Sequence, residues 1–268
     1  MEKVKENFSF EKRLKSMLKV DFRRFFTTPL FYIMVGVSLV IPVLILVMTG
    51  MMDGMTMTDA QTGAVTVMKG FDNVWQIFGS LSSGGNGAMG MDITSMCNIN
   101  MMYFAVAVLV CVFVSDDFRS GYAKNLFTVR AKKTDYIISK TAVGFVGSAF
   151  MLLAFTVGAL IGGAVAGLPF DMVGFNTMNV IDSVVSKIFL SSMFVAIYVL
   201  ASVIAKQRLW LSIILSLGIG MLCFTTAPII TPLDANFINV ILCFAGGIGF
   251  AVGVGAISNL VLNKTALV

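Results

Sequence analysis

The sequence contains no histidine. That removes imidazole as an acid, a base or a metal ligand near neutral pH. Its four cysteines, Cys97, Cys111, Cys223 and Cys243, show no C-x-x-C spacing. Three of them lie in apolar runs, where a thiol behaves as a small hydrophobe, which argues against a disulfide framework or a thiolate metal site. Charge is scarce as well, at 12% of residues against about 25% in an ordinary soluble domain. No G-x-x-x-x-G-K-[ST] run exists in the 268 residues, so no loop of this kind cradles a triphosphate. There is no Ser–His pair and no cluster of carboxylates in the apolar runs, which leaves an enzyme little chemistry to use. No nucleic-acid partner and no cofactor of the chain's own is expected.

What is present is apolar: 57% of residues are hydrophobic and the mean hydropathy is +0.92. A soluble fold of this size has too little interior to enclose that much apolar surface. The chain therefore reads as an all-α integral membrane protein. A hydrocarbon core of about 30 Å needs about 20 apolar residues as helix. Six continuous runs approach or meet that length: residues 30–48, 98–115, 141–167, 188–205, 209–227 and 240–262. Continuous rather than alternating hydropathy excludes an outer-membrane barrel. The first run is longer than a signal-peptide core and is followed by no A-x-A site, so it is read as a span.

The basic residues are unevenly placed. Seventeen of the 19 Lys and Arg fall in residues 1–29, 115–140, 206–208 and 264, whereas Lys69 and Lys187 alone fall on the other side of the six spans. The acids divide evenly. By the positive-inside rule both termini are expected in the cytoplasm. Asp182 and Lys187 are expected just beyond the far end of the fourth run, with Lys187 snorkelling. No span centre then holds a charge, which argues against an ion-coupled secondary transporter.

Residues 10–28 precede the first span. Leu14, Met17, Leu18, Phe22, Phe25 and Phe26 recur at the spacing of one helix face, and Lys12, Lys15, Lys19 and Arg23 fall on the other. This predicts an amphipathic helix, either lying on an anionic leaflet or docking a cytoplasmic partner as well. Thr27–Thr28–Pro29 ends it and starts the next helix. The 49–97 segment, rich in Met and Gly, is expected outside. Residues 48 to 102 hold 11 of the 19 methionines, with the pairs Met55/Met57 and Met89/Met91 and the turn SSGGNGAMG. Three readings stay open: an adaptable lid, a soft surface for amphipathic cargo, or Cu(I) held by thioethers. Within this segment FDNVWQIFGSL reads as a short surface helix. It places Phe71, Val74, Trp75 and Phe78 on one face, with Trp75 and Phe78 as lid or cargo residues. Small residues at Gly158/Gly162, Gly163/Gly167 and along Gly246–Gly255 suit close helix packing, within one subunit or between two. Pro228 and Pro232 must break the fifth run, and Pro42 is a kink point in the first.

The segment 116–140 carries Asp116, Asp117, Gly121, the run Lys124–Asn125–Leu126–Phe127, Arg130, Tyr136 and Lys140. With the basic amphipathic helix leading into the first span, this order resembles the permease subunits of ATP-binding-cassette type-2 exporters. Many members carry a proline after the short helix, and this chain has none between Pro42 and Pro169. The resemblance implies that 116–140 forms a coupling helix seated in a cleft of a separate ATPase subunit, which binds ATP and Mg. Gly121, Lys124, Asn125, Leu126, Phe127 and Arg130, with Lys19 and Arg23, are then the expected ATPase contacts. Gly121 lets the chain turn, Leu126 and Phe127 insert, and the basic residues pair with acids. It further implies a second copy or a related permease as partner, and a pathway between subunits lined by the second and fifth spans. The cargo would be hydrophobic or amphipathic, a peptide first, or a drug or lipid, in a bacterial cell membrane. A non-transporting scaffold or immunity protein is the alternative class.

Overall fold

The computed structural model describes residues 10–58, 65–67, 70–81, 97–129, 132–224 and 226–264. Helix α1, Phe10–Thr27, follows the expected periodicity. Its Leu14, Met17, Leu18, Phe22, Phe25 and Phe26 are buried or half-buried, while Lys12, Lys15, Lys19 and Arg23 are exposed. Pro29, which has no N–H to lose, opens α2, Pro29–Met52, as suits a first helical turn. That helix continues through Pro42.

A short hairpin follows, β1 (Thr56–Thr58) antiparallel to β2 (Val65–Val67), with Thr56 opposite Val67. A 3₁₀ turn at Val74–Phe78 and another at Ile99–Met101 lead into α3, Met102–Arg119. Then come α4 (Tyr122–Val129), α5 (Lys133–Ala166), α6 (Thr177–Ala205), α7 (Leu209–Phe224), the single turn α8 (Ala227–Ile230) and α9 (Phe237–Lys264).

Among the described residues, five helices are long and apolar enough to cross a membrane: Pro29–Met52, Ile99–Arg119, Lys133–Ala166, Thr177–Ala205 and Phe237–Lys264. The described residues are thus all-α apart from the small hairpin, with the apolar helices of a multi-pass membrane protein. The fifth apolar run forms α7, which at 16 residues spans only about 24 Å. Proline is the reason: Pro228 and Pro232 cannot donate to Phe224 and Pro228 in a continued ladder, so the helix ends and a separate turn follows.

The central helices are α3 and α6, where 67% of the most apolar window is buried, against 22% for α2 and α9. Tyr103 of α3 stacks on Phe194 of α6 with centroids 4.3 Å apart. Around this pair, α2 lies against α5, α9 against α6, and α7 against both α3 and α6. Helix α7 is held by a narrow stripe. Its buried residues are Ser212, Ser216 and Gly220, and the Ser212 hydroxyl bonds Ser202 at 2.7 Å while Ser216 bonds the Cys111 thiol at 3.0 Å.

Gly158, Gly162 and Gly163 of α5 pack within the chain, while Gly167 has open space beside it and ends the helix. A Cβ on Gly158 would lie 2.1 Å from the Leu39 carbonyl oxygen, and one on Gly162 would lie 2.8 Å from the Val43 Cα. These two glycines let α2 and α5 touch backbone to backbone. On α9 the picture is mixed: a Cβ on Gly247 would lie 2.7 Å from the Phe189 carbonyl oxygen of α6, whereas Gly246, Gly249 and Gly253 have open space beside them.

Gly158→Ala should therefore lower stability by about 1–3 kcal/mol, the usual cost of overpacking, because the obstacle is backbone. Gly249→Ala should be neutral or stabilising by up to about 1 kcal/mol. Thermal unfolding of the two variants in detergent checks the pair.

Candidate functional site: buried ions beneath the N-terminal helix

The two helices flanking the 116–140 segment run deeper into it than hydropathy suggests. Helix α3 continues to Arg119 and α5 begins at Lys133, so residues expected in a solvated loop are helical and buried. Asp117 and Lys140 are 0% exposed, and Asp21 and Asp135 are 1% exposed. Charges are enclosed in this way only when they neutralise one another.

The Lys140 ammonium sits between two carboxylates, 2.8 Å from Asp21 Oδ1 and 2.6 Å from Asp117 Oδ2. Asp117 also accepts from the Arg24 guanidinium at 2.8 Å and from the Tyr136 hydroxyl at 3.0 Å. The Ser139 hydroxyl donates to the second oxygen of Asp21 at 2.6 Å. Two acids and two bases thus cancel, and every carboxylate oxygen in the pair has a partner. A separate pair at the same end joins Arg13 Nε to Asp135 Oδ2 at 3.0 Å.

Aromatic rings close the cluster. Lys140 lies 4.2 Å from the Phe113 centroid, and Arg24 lies 4.1 Å over the Tyr122 ring, distances that favour cation–π attraction. Burial and then Asp21 push the Tyr122 phenol above its ordinary pKa, with Arg24 opposing. Burial works against the Arg24 charge, but Asp117, Tyr122 and Asp21 together outweigh it and hold the guanidinium above its usual value.

The cluster joins four elements. Asp21 and Arg24 come from α1, Asp117 from the last turn of α3, Tyr122 from the start of α4, and Lys140 with Tyr136 from the first turns of α5. Phe127 of α4 packs edge-on against Tyr136 with centroids 5.4 Å apart. Helix α1 is therefore bolted to the bundle by ions as well as by its apolar face. Asp21 was legible as an anomaly: Met17, Asp21 and Phe25 are four residues apart, so a carboxylate stands in the apolar stripe.

The expected contact residues differ in their setting. Lys19, Arg23, Lys124 and Asn125 are exposed, on α1 and α4. Gly121 has a φ of +73° just before α4, a left-handed turn that glycine makes at little cost. Leu126 and Phe127 are half-buried and pack on the chain's own core rather than standing free for insertion elsewhere. Arg130 lies outside the described residues.

At the opposite end, Phe78 is 0% exposed and Trp75 half-buried. They belong to a 3₁₀ turn rather than a surface helix. Val74 N–H bonds the Pro169 carbonyl at 3.2 Å, and the Trp75 indole N–H bonds that of Phe170 at 3.0 Å. The turn is thus packed against the end of α5, so Phe78 offers no cargo surface. The Met89/Met91 pair and the glycine-rich turn lie outside the described residues. Lys187 is not a snorkelling end residue. It lies within α6 and is 0% exposed, because its ammonium finds neutral oxygens inside the protein.

No family model, curated protein or solved structure matches the chain.

Lys140→Met leaves two buried carboxylates facing each other, with Arg24 alone beside them. Stability should fall by about 3–5 kcal/mol, the usual cost of breaking a buried ion pair by removing one partner. Because α1 then loosens, trypsin should cut at Lys12, Lys15 and Lys19 faster than in the parent. Unchanged digestion of α1 would contradict the bolt.

Proposed function

We propose that this chain is the permease subunit of an ATP-driven exporter of the ATP-binding-cassette type-2 kind. A separate ATPase energises it, and it moves a hydrophobic or amphipathic cargo, a peptide first, outward across a bacterial cell membrane. In this reading α7 is the sixth pass, completed by local thinning of the bilayer around its short apolar length. Both termini lie in the cytoplasm, where the excess of Lys and Arg belongs. One chain supplies half of the pathway, and a second copy or a related permease supplies the rest.

The observation that carries the reading is the ion cluster at the end with α1 and α4. Exporters of this kind need short amphipathic elements that touch an ATPase and move as one piece with the spans. Here Asp21, Arg24, Asp117, Tyr122 and Lys140 tie α1 and the start of α4 to the ends of α3 and α5. Both helices leave basic or polar residues exposed, Lys19 and Arg23 on one and Lys124 and Asn125 on the other. A push on either helix is then delivered to two spans without a flexible link. The absence of a phosphate loop in the sequence fits an ATPase on another chain.

Purifying the membrane complex from its native host should recover an ATPase subunit with the chain. Lys124→Glu together with Asn125→Asp should weaken that association about tenfold at low salt, as reversal of rim charges does, and leave the thermal midpoint of the permease unchanged. An ATPase that binds and turns over equally well with the double variant would overturn the contact role of α4. Leu126 and Phe127 are poorer probes, because they also pack on Tyr136 and the core.

A further inference from the structure

At the end of the bundle opposite the ion cluster, a second buried lysine makes contacts of a different kind. Lys187 lies about 15 Å along α6 from its first residue, at 1.5 Å per residue. Its ammonium donates to Ser183 Oγ at 3.0 Å, to Thr231 Oγ1 at 3.1 Å and to the Thr231 carbonyl. Among the described residues no carboxylate pairs with it. An intramembrane cation without a counter-ion is costly, and the fold keeps it.

Three segments meet at that ammonium. The first is α6 itself. The second is the broken stretch 226–236, which holds α8 and the prolines Pro228 and Pro232. The third is the chain just after the 3₁₀ turn. Here Gly79 has a φ of +147°, a conformation open to glycine almost alone. A Cβ on Gly79 would lie 3.8 Å from the Lys187 Nζ and 3.9 Å from the Thr231 carbonyl oxygen. Ser80 accepts from the Leu233 N–H at 3.0 Å, and Tyr103 donates to the Lys187 carbonyl at 3.1 Å.

Besides these bonds, the stretch 226–236 is held by three buried side chains, Ala227, Leu233 and Ala235. Its helix is one turn long, and Ile229 is 69% exposed. Side-chain hydrogen bonds also reach it, from Asn179 to the Ala235 carbonyl and to Asn236 Oδ1, and from Asn239 to the Ile230 carbonyl. Nearby, fully buried Asn100 has no partner among the described residues for either its Oδ1 or its Nδ2. It stands three residues before Tyr103, so water entering at this level would be bound rather than repelled.

We propose that Lys187 is the latch of a gate at this end of the bundle. Its ammonium holds 226–236 and the 79–80 backbone against α6. When those neutral oxygens are exchanged for water, the stretch lifts and the polar interior at Asn100 and Lys187 opens. A neutral-oxygen latch suits this task, since a buried carboxylate partner would have held the lysine far more firmly. As a gate the device rests on the export reading; as a latch it does not, and its test needs neither ATPase nor cargo.

Cys243 of α9 reports on the latch. It is 2% exposed and its thiol lies beside Ser186 and Lys187. The purified chain in detergent is treated with a maleimide, and labelling is followed at each cysteine by peptide mass spectrometry. Cys243 should react slowly in the parent. In Thr231→Val, which keeps the ammonium and the backbone acceptor but loses both the Lys187 bond and the hydroxyl's bond to the Ala227 carbonyl, it should react at least about five-fold faster, the worth of one hydrogen bond or more. In Lys187→Met, with all three bonds gone, the gain should be about ten-fold or more. Cys111, buried on α3, should stay protected in both and so separates local opening from general loosening. Cys243 as protected in the variants as in the parent would overturn the latch, and so would equal gains at Cys111. Should Lys187→Met fail to fold, the Thr231→Val result decides alone.

Discussion

Everything at the basic end of this protein depends on one ammonium between two carboxylates. Lys140 cannot be buried alone in a bundle of apolar helices, and neither can Asp21 or Asp117. Together with Arg24 they form a neutral group that can be enclosed. The consequence is geometric. A helix rich in lysine and arginine, which would otherwise rest loosely on whatever surface it met, is held at a fixed place against α3 and α5. The apolar face of α1 supplies much of the burial. The ions supply position, because a charged pair at 2.6–2.8 Å tolerates little sliding.

The two buried lysines divide the molecule by mechanical character. Lys140 has two carboxylates and is surrounded by rings, and it joins helices that move together. Lys187 has only hydroxyls and a carbonyl, and it joins α6 to a stretch that proline has already cut from its helix. Between them lies a core of stacked Tyr103 and Phe194, with α7 attached by a serine and glycine stripe. On the export reading proposed above, force would enter at the firm end and opening would occur at the weak one.

Much of this was legible in the residues. Hydropathy located the apolar helices, and the periodicity of Leu14 to Phe26 located α1 and its exposed basic face. Pro228 and Pro232 announced the break after α7. Gly158 and Gly162 announced a close helix contact, though not that α2 was the partner. The burial of the charged segment was not legible, because hydropathy scores each charge as exposed and cannot see that Asp117 and Lys140 cancel. That same blindness placed Lys187 at an exposed helix end, when three neutral oxygens hold it buried within α6. The resemblance assigns Leu126 and Phe127 to a partner, and the structure adds that Tyr136 and the core half-cover them. In each case the missing information was a contact between residues distant in sequence.

The central claim is that Asp21 and Lys140 act as one unit in holding α1. A double-mutant cycle with Asp21→Asn, Lys140→Met and the pair, read by unfolding in detergent, tests it most directly. The account predicts that the double variant is more stable than the two single losses imply, by at least about 1.5 kcal/mol, because removing both charges leaves no uncompensated ion. Effects that add within about 0.5 kcal/mol, as for sites that do not touch, would contradict it.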